Sequence, residues 1–141
     1  MPKIVIESQE LKLDLGCGNF KKEGFIGLDK LDFGQEIVWD VNNGIPLPDE
    51  SVVEVNSTHF VEHLNSSEIY ATFKELVRVC KSGAEIYIRC PVDTHTSALY
   101  LCHHSLWNKK KFEAIADDEE KLELLISDSS ESEVWGTFKK L

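Results

Sequence analysis

Only six residues, Asn19 to Gly24, separate the turn Gly16-Cys17-Gly18 from the next apolar run, Phe25-Ile26-Gly27-Leu28-Asp29. No helix of ordinary length fits in that interval. The residues before the turn, Leu11-Lys12-Leu13-Asp14-Leu15, read as a strand. A strand that feeds a glycine turn lets a ligand sit against bare backbone. Asp29 closes the second strand, and a carboxylate there can accept both hydroxyl protons of a ribose. An ordinary tight turn is the other reading of the two glycines. A dinucleotide site needs a third glycine and a helix whose N-terminus binds pyrophosphate. Here Lys21 stands at the third position, so NAD and FAD fit poorly. A cofactor with adenosine and no phosphate fits better, and S-adenosylmethionine is one.

The rest of the chain alternates short apolar runs with turns. Glu36 to Asp40 and Val52 to Ser57 read as a third and a fourth strand, divided by the loop Asn42 to Asp49. Asn65 with Glu68 makes a capping-box start for a helix. Ile69, Tyr70, Phe73, Leu76, Val77 and Cys80 form its buried stripe, and Gly83 is placed to end it. Glu85 to Cys90 is a buried strand closed by Pro91. Asp93 to Trp107 has no clear period. Asn108 can cap a helix carrying Phe112, Ile115 and Ala116 inward. Leu122 to Ser127 and Val134 to Lys140 are joined too closely for a crossover, so they pair antiparallel. Strand, helix and strand in succession predict parallel pairing in the centre. Residues 1–141 are expected to make one domain.

The formal charge is −10, from 15 Lys and Arg against 25 Asp and Glu. That balance argues against nucleic acid as the main partner and tolerates a cationic ligand such as a sulfonium. No apolar run reaches the roughly 20 residues of a membrane helix, and the N-terminus has no signal-peptide pattern. A cytoplasmic protein with reduced cysteines is expected, since Cys17, Cys80, Cys90 and Cys102 form no C-x-x-C pair.

Taken together, Leu-Asp-Leu-Gly-Cys-Gly, Gly-Phe-Ile-Gly-Leu-Asp, Trp-Asp-Val and Ser-Thr-His-Phe-Val-Glu-His-Leu resemble the class I S-adenosylmethionine-dependent methyltransferases, in particular the type 11 group. The resemblance runs well over residues 11 to 91 and loosely beyond. It implies a Rossmann-like α/β fold with a mostly parallel seven-stranded sheet and an antiparallel last strand. The helices of its first half are reduced. It also implies S-adenosylmethionine as cofactor and methyl transfer to a small-molecule, glycan or protein acceptor that no residue identifies. Asp14 and the backbone of Gly16, Cys17 and Gly18 would hold the methionine moiety, Asp14 near its ammonium. A side chain at Gly16 would then take the space of that moiety. Asp29 would bind the ribose, Asp40 and Val41 the adenine, and Thr58, His59 and Phe60 would flank the cofactor. A module of the same fold that works through a partner surface, with or without cofactor, is the alternative.

Two departures from the family pattern stand out. Phe20 occupies the place of a frequent third glycine, and neither of the first two strands is followed by room for a helix. Phe25, Ile26, Ile37 and Val38 would put apolar side chains on both faces of the second and third strands. Ile4-Val5-Ile6, the loop residues Ile45 and Leu47, or a second subunit must then close the core. A homodimer or a protein partner at that edge is expected.

His59-Phe60-Val61-Glu62-His63 matches the inverted zinc-protease pentad. That reading needs a long helix, and here the pentad lies between a strand and a cap. Glu62 and His63 are instead expected to make a polar contact at the cleft mouth, with a structural role for His63 equally open. Cys90, His95, Cys102, His103 and His104 match no usual zinc spacing, so no metal is expected. If the acceptor must lose a proton, His63, His103 and His104 are the candidate bases.

Overall fold

The computed structural model describes residues 10–141. Ile4-Val5-Ile6 lie outside the described residues. Seven strands form one sheet: β1 (Leu11–Leu15), β2 (Ile26–Asp29), β3 (Ile37–Val38), β4 (Val52–Thr58), β5 (Cys80–Pro91), β6 (Leu122–Ser129) and β7 (Glu133–Lys140). Their spatial order is β3-β2-β1-β4-β5-β7-β6. The first five run parallel, and β7 is antiparallel to both neighbours. Helix α1 (Ser66–Val79) crosses from β4 to β5, and α2 (Lys109–Asp118) precedes β6. The expected seven-stranded, mostly parallel sheet is present, with its first two connections free of α-helix.

Local chemistry fixes both helix starts. Asn65 accepts a hydrogen bond from the Glu68 N–H while the Glu68 carboxylate takes the Asn65 N–H, a complete capping box. Asn108 caps α2 through the Lys111 N–H. The end of α1 differs from expectation. The helix stops at Val79, and Gly83, at φ +90°, lies inside β5 rather than at a helix end. Tyr70 also leaves the predicted stripe and is exposed, while Thr72 takes a buried place.

The core lies on one face of the sheet. Leu13, Val55 and Ile86 stand side by side across β1, β4 and β5, with Leu15, Ser57 and Ile88 in the next rows, all buried. Phe73 of α1 and Phe112 of α2 both meet Phe138 on that face. The other face presents Lys12, Glu54, Glu85 and Lys139 in one row, and Asp14, Asn56, Tyr87 and Thr137 in the next. Lys12 pairs with Glu54 at 3.6 Å, and the Arg89 guanidinium lies 4.8 Å from the Trp135 ring. No described helix packs on this face. An uncovered parallel sheet would normally strand apolar side chains in water. Here polar side chains take their place.

That arrangement revises the expectation of an apolar edge. Ile37 is buried in the core and Phe25 is only 6% exposed, its ring lying under Lys12 and Lys22 at 5.8 and 5.0 Å. Of the four residues named, Val38 alone is largely exposed. Ile45 and Leu47 do close the core, as anticipated.

Candidate functional site

The chain order places a reversal between β1 and β4. From β1 the chain moves through β2 to β3 on one side, then returns to β4 and moves through β5 to the other. A crevice opens at the carboxyl ends of the strands at such a point. A cleft of about 460 Å³ lies there, within the roughly 300–1,000 Å³ of small-molecule sites. Its wall takes Gly16 and Gly18 after β1, Asp29 to Leu31 after β2, Trp39 to Asn42 after β3, and His59, Phe60, His63 and Leu64 after β4. Cys102 and His104 close it from the segment after β5.

The glycine turn is held from below. Asp14 is 3% exposed, and its carboxylate accepts the Lys22 N–H at 2.8 Å and the Asn56 amide at 3.1 Å. Asp14 therefore stands outside the cleft wall. Asp29 accepts the Gly18 N–H and the Leu31 N–H, each at 3.0 Å, with one carboxylate oxygen apiece. Each oxygen keeps a further lone pair. Gly16 and Gly18 both have positive φ, +68° and +55°. A Cβ at Gly16 would lie 2.2 Å from the Phe60 ring, whereas one at Gly18 would meet nothing within 4 Å. So Phe60, not open ligand space, is what Gly16 makes room for.

Asp40 caps the 3-10 turn Val41–Asn43 through the Asn42 N–H, which holds its carboxylate at the end of β3. Trp39 donates its indole N–H to the Gly44 carbonyl while one side borders the cleft. Of the ten residues expected to hold a cofactor, seven line one cavity: Gly16, Gly18, Asp29, Asp40, Val41, His59 and Phe60. Asp14, Cys17 and Thr58 do not. Cys17 is buried, and burial, with Asp14 and Asp29 nearby, pushes its thiol up to about 11.

The pentad at His59 to His63 is split. His59 has φ +57°, in the left-handed region that few non-glycine residues adopt. Its ring lies between two acids, Nδ1 3.7 Å from Glu62 and Nε2 2.9 Å from Glu133. Val61 to His63 form only a 3-10 turn. Glu62 does not sit at the cleft mouth as expected but is 2% exposed, and its Oε1 has no hydrogen-bond partner. Burial, and next the Glu133 charge, raise its carboxyl from 4.5 to about 7, against a lowering by its own backbone N–H. Glu133 is held low by Arg89, at 2.9 Å. His63 turns the other way, with Nδ1 2.9 Å from the Cys102 carbonyl. Its ring meets His103 edge-on at 4.8 Å. Burial lowers its pKa, as do His103 and His104. Of the three candidate bases, His63 and His104 line the cleft and His103 stands behind His63.

Sequence reasoning missed the grouping of buried Glu62 with exposed His59 and half-buried Glu133, because Glu133 lies in the last hairpin. It also missed Leu31 and Phe33 in the wall. The Leu31-Asp32-Phe33 run, with two apolar residues in a polar loop, was the available signal.

No protein-family model and no curated protein matches this chain. Solved structures do. A SAM dependent methyltransferase from Archaeoglobus fulgidus aligns with TM-score 0.72 and 19% identity, over 95% of this chain and 87% of that one. The complex between the Haloferax volcanii Trm112 methyltransferase activator and its partner gives TM-score 0.71 and 16% identity, over 96% and 84%. A Haemonchus contortus N-methyltransferase bound to S-adenosylhomocysteine gives TM-score 0.66 and 13% identity, over 97% of this chain and 49% of that one. The chain has the class I S-adenosylmethionine-dependent methyltransferase fold. Among the described residues no helix is long and apolar enough to cross a membrane.

Proposed function

We propose that this chain binds S-adenosylmethionine in the cleft and transfers its methyl group to an acceptor held near His63 and His104. The observation that carries the reading is the convergence on one cavity of a bare Gly18 backbone, the Asp29 carboxylate and the Asp40–Val41 turn. Gly18 leaves space for a ligand to approach its main chain. Asp29 has lone pairs left for two ribose hydroxyls. Asp40 and the Val41 amide suit an adenine edge, with Trp39 beside it. Asp14 contributes by pinning Lys22, and through it the connection that carries the glycines.

When bound, the cofactor supplies a methyl carbon already activated by a sulfonium. The chain's own work is to align the acceptor with that carbon and to exclude water. If the acceptor must lose a proton, His63 and His104, both in the cleft wall, are the residues this reading assigns to take it. Small molecules, glycans and protein side chains remain the acceptor classes, and the acidic surface disfavours nucleic acid.

A second reading, a partner-binding module of the same fold, is favoured by the polar sheet face on which no described helix packs and by the activator-bound neighbour. Calorimetry with S-adenosylmethionine tests the first reading. Micromolar, one-to-one binding is expected, and no heat at millimolar cofactor would leave the second.

A further inference from the structure

We propose that His63, Cys102 and His103 form a binding site for a thiophilic divalent cation, best matched by Zn²⁺, at the mouth of the cleft. Each residue offers a ligand atom, and these atoms lie within 4.8 Å of one another. One thiolate and two imidazoles suit zinc, whereas magnesium and calcium call for oxygen ligands.

The hydrogen bond that His63 makes points the same way. Its Nδ1 lies 2.9 Å from the Cys102 carbonyl oxygen, so the ring proton belongs on Nδ1 and the lone pair on Nε2. Metal-bound histidines are fixed by this kind of N–H to carbonyl contact. Here the carbonyl belongs to another ligand residue, which ties the two together.

A further independent sign is His103. Its Nδ1 is buried and has no hydrogen-bond partner. A buried polar atom left unpaired is costly and rare. A cation between His103 and His63 would engage it.

Cys102 is the cysteine suited to the task. Cys17, Cys80 and Cys90 are buried, and Cys102 is exposed. Zinc bonds of about 2.1 Å to nitrogen and 2.3 Å to sulfur draw ligands closer together than 4.8 Å. His63 and Cys102 are exposed, so a change of the Cys102 rotamer can bring its Sγ toward the two rings. Three protein ligands leave a fourth position, the mark of a site that takes a further group. Because His63 and Cys102 line the cleft, that position is within reach of its contents.

Cys102 and His103 adjoin in sequence, but their partner lies 39 residues earlier. The linear spacing therefore could not disclose the cluster, and the expectation of no metal rested on that spacing. The site does not depend on the methyltransferase reading, and either can fail alone.

The test uses the full chain without a histidine tag, stripped by chelator and titrated with Zn²⁺ by calorimetry and with Co²⁺ by absorption. One equivalent should bind, and Co²⁺ should give a thiolate charge-transfer band together with tetrahedral ligand-field bands. Cys102→Ser should abolish the charge-transfer band, and His63→Ala and His103→Ala should each weaken binding about tenfold or more. His95→Ala, whose ring nitrogen bonds Ser97 outside the cluster, should bind as the parent does. Circular dichroism of each variant reports folding, and the wild-type Co²⁺ spectrum stands even if a variant misfolds. Absence of saturable binding, a Co²⁺ complex without the thiolate band, or affinity unchanged in folded Cys102→Ser would each overturn the site.

Discussion

Glu62→Gln should make this protein more stable at alkaline pH and leave it unchanged in mild acid. The carboxyl is 2% exposed, its Oε1 is unpaired, and burial with Glu133 raises it from 4.5 to about 7. The sign follows from proton counting. Between about pH 4.5 and 7 the unfolded chain has released this proton while the folded chain keeps it. Folding therefore takes up a proton there, and stability falls as pH rises through that window. Below it the contribution is whole, and above it the loss is complete. A shift of this size corresponds to about 3 kcal/mol. Relaxation around the charge lowers the measured figure, so about 2 kcal/mol is the working expectation. Glutamine keeps the shape, the carbonyl acceptor for the backbone N–H and the neutrality of the protonated acid. Urea unfolding followed by tryptophan fluorescence, in chelator-containing buffer near pH 4 and pH 8, measures the difference between the two proteins at each pH. Equal differences at both would refute the burial argument.

Asp29→Ala should weaken S-adenosylmethionine binding by about 1–3 kcal/mol, the worth of charge-assisted hydrogen bonds to the ribose. Unchanged calorimetric affinity would remove the ribose assignment. Gly16→Ala should destabilise the fold by more than the roughly 1–2 kcal/mol of left-handed backbone strain, because its Cβ meets Phe60 at 2.2 Å. Gly18→Ala should cost about the strain alone, and chemical denaturation that ranks the two variants equally would discount the clash. Phe25→Glu should destabilise the fold, since it removes a ring that is only 6% exposed and puts in its place a carboxylate that the nearby Lys12 and Lys22 ammonium groups offset only in part. A folded variant of unchanged midpoint would show that Phe25 is not core.

The strands and both helix starts were legible because each is written locally. Alternation in Leu11 to Leu15 and the Asn65–Glu68 box need no tertiary information. Gly83 misled because glycine with positive φ serves a strand irregularity as well as a helix end. The cleft wall was legible where a motif carried it, at Gly16, Gly18, Asp29 and Asp40. What stayed hidden depends on distant segments meeting. Glu133 reaches His59 from the last hairpin, and Cys102 reaches His63 from the segment after β5. The resemblance assigned Asp14 to the methionine moiety, while the Lys22 N–H and Asn56 amide that its carboxylate accepts come from segments the motif does not include.

The short connections around β2 also bear on how the sheet assembles. Leu13 pairs with Ile26 and Leu28 with Ile37, separations of 26 − 13 = 13 and 37 − 28 = 9 residues. By contrast Leu13 meets Val55 across 55 − 13 = 42 residues. Loop-closure entropy rises with the logarithm of loop length, so the 42-residue closure costs about 1 kcal/mol more than the 13-residue one. Parallel sheets are usually slow to form because their crossovers pair strands far apart in sequence. In this chain the pairings of β2 with β1 and with β3 close over 13 and 9 residues against 42 for β1 with β4, so the edge of the sheet beside Gly16, Gly18 and Asp29 carries the lower contact order.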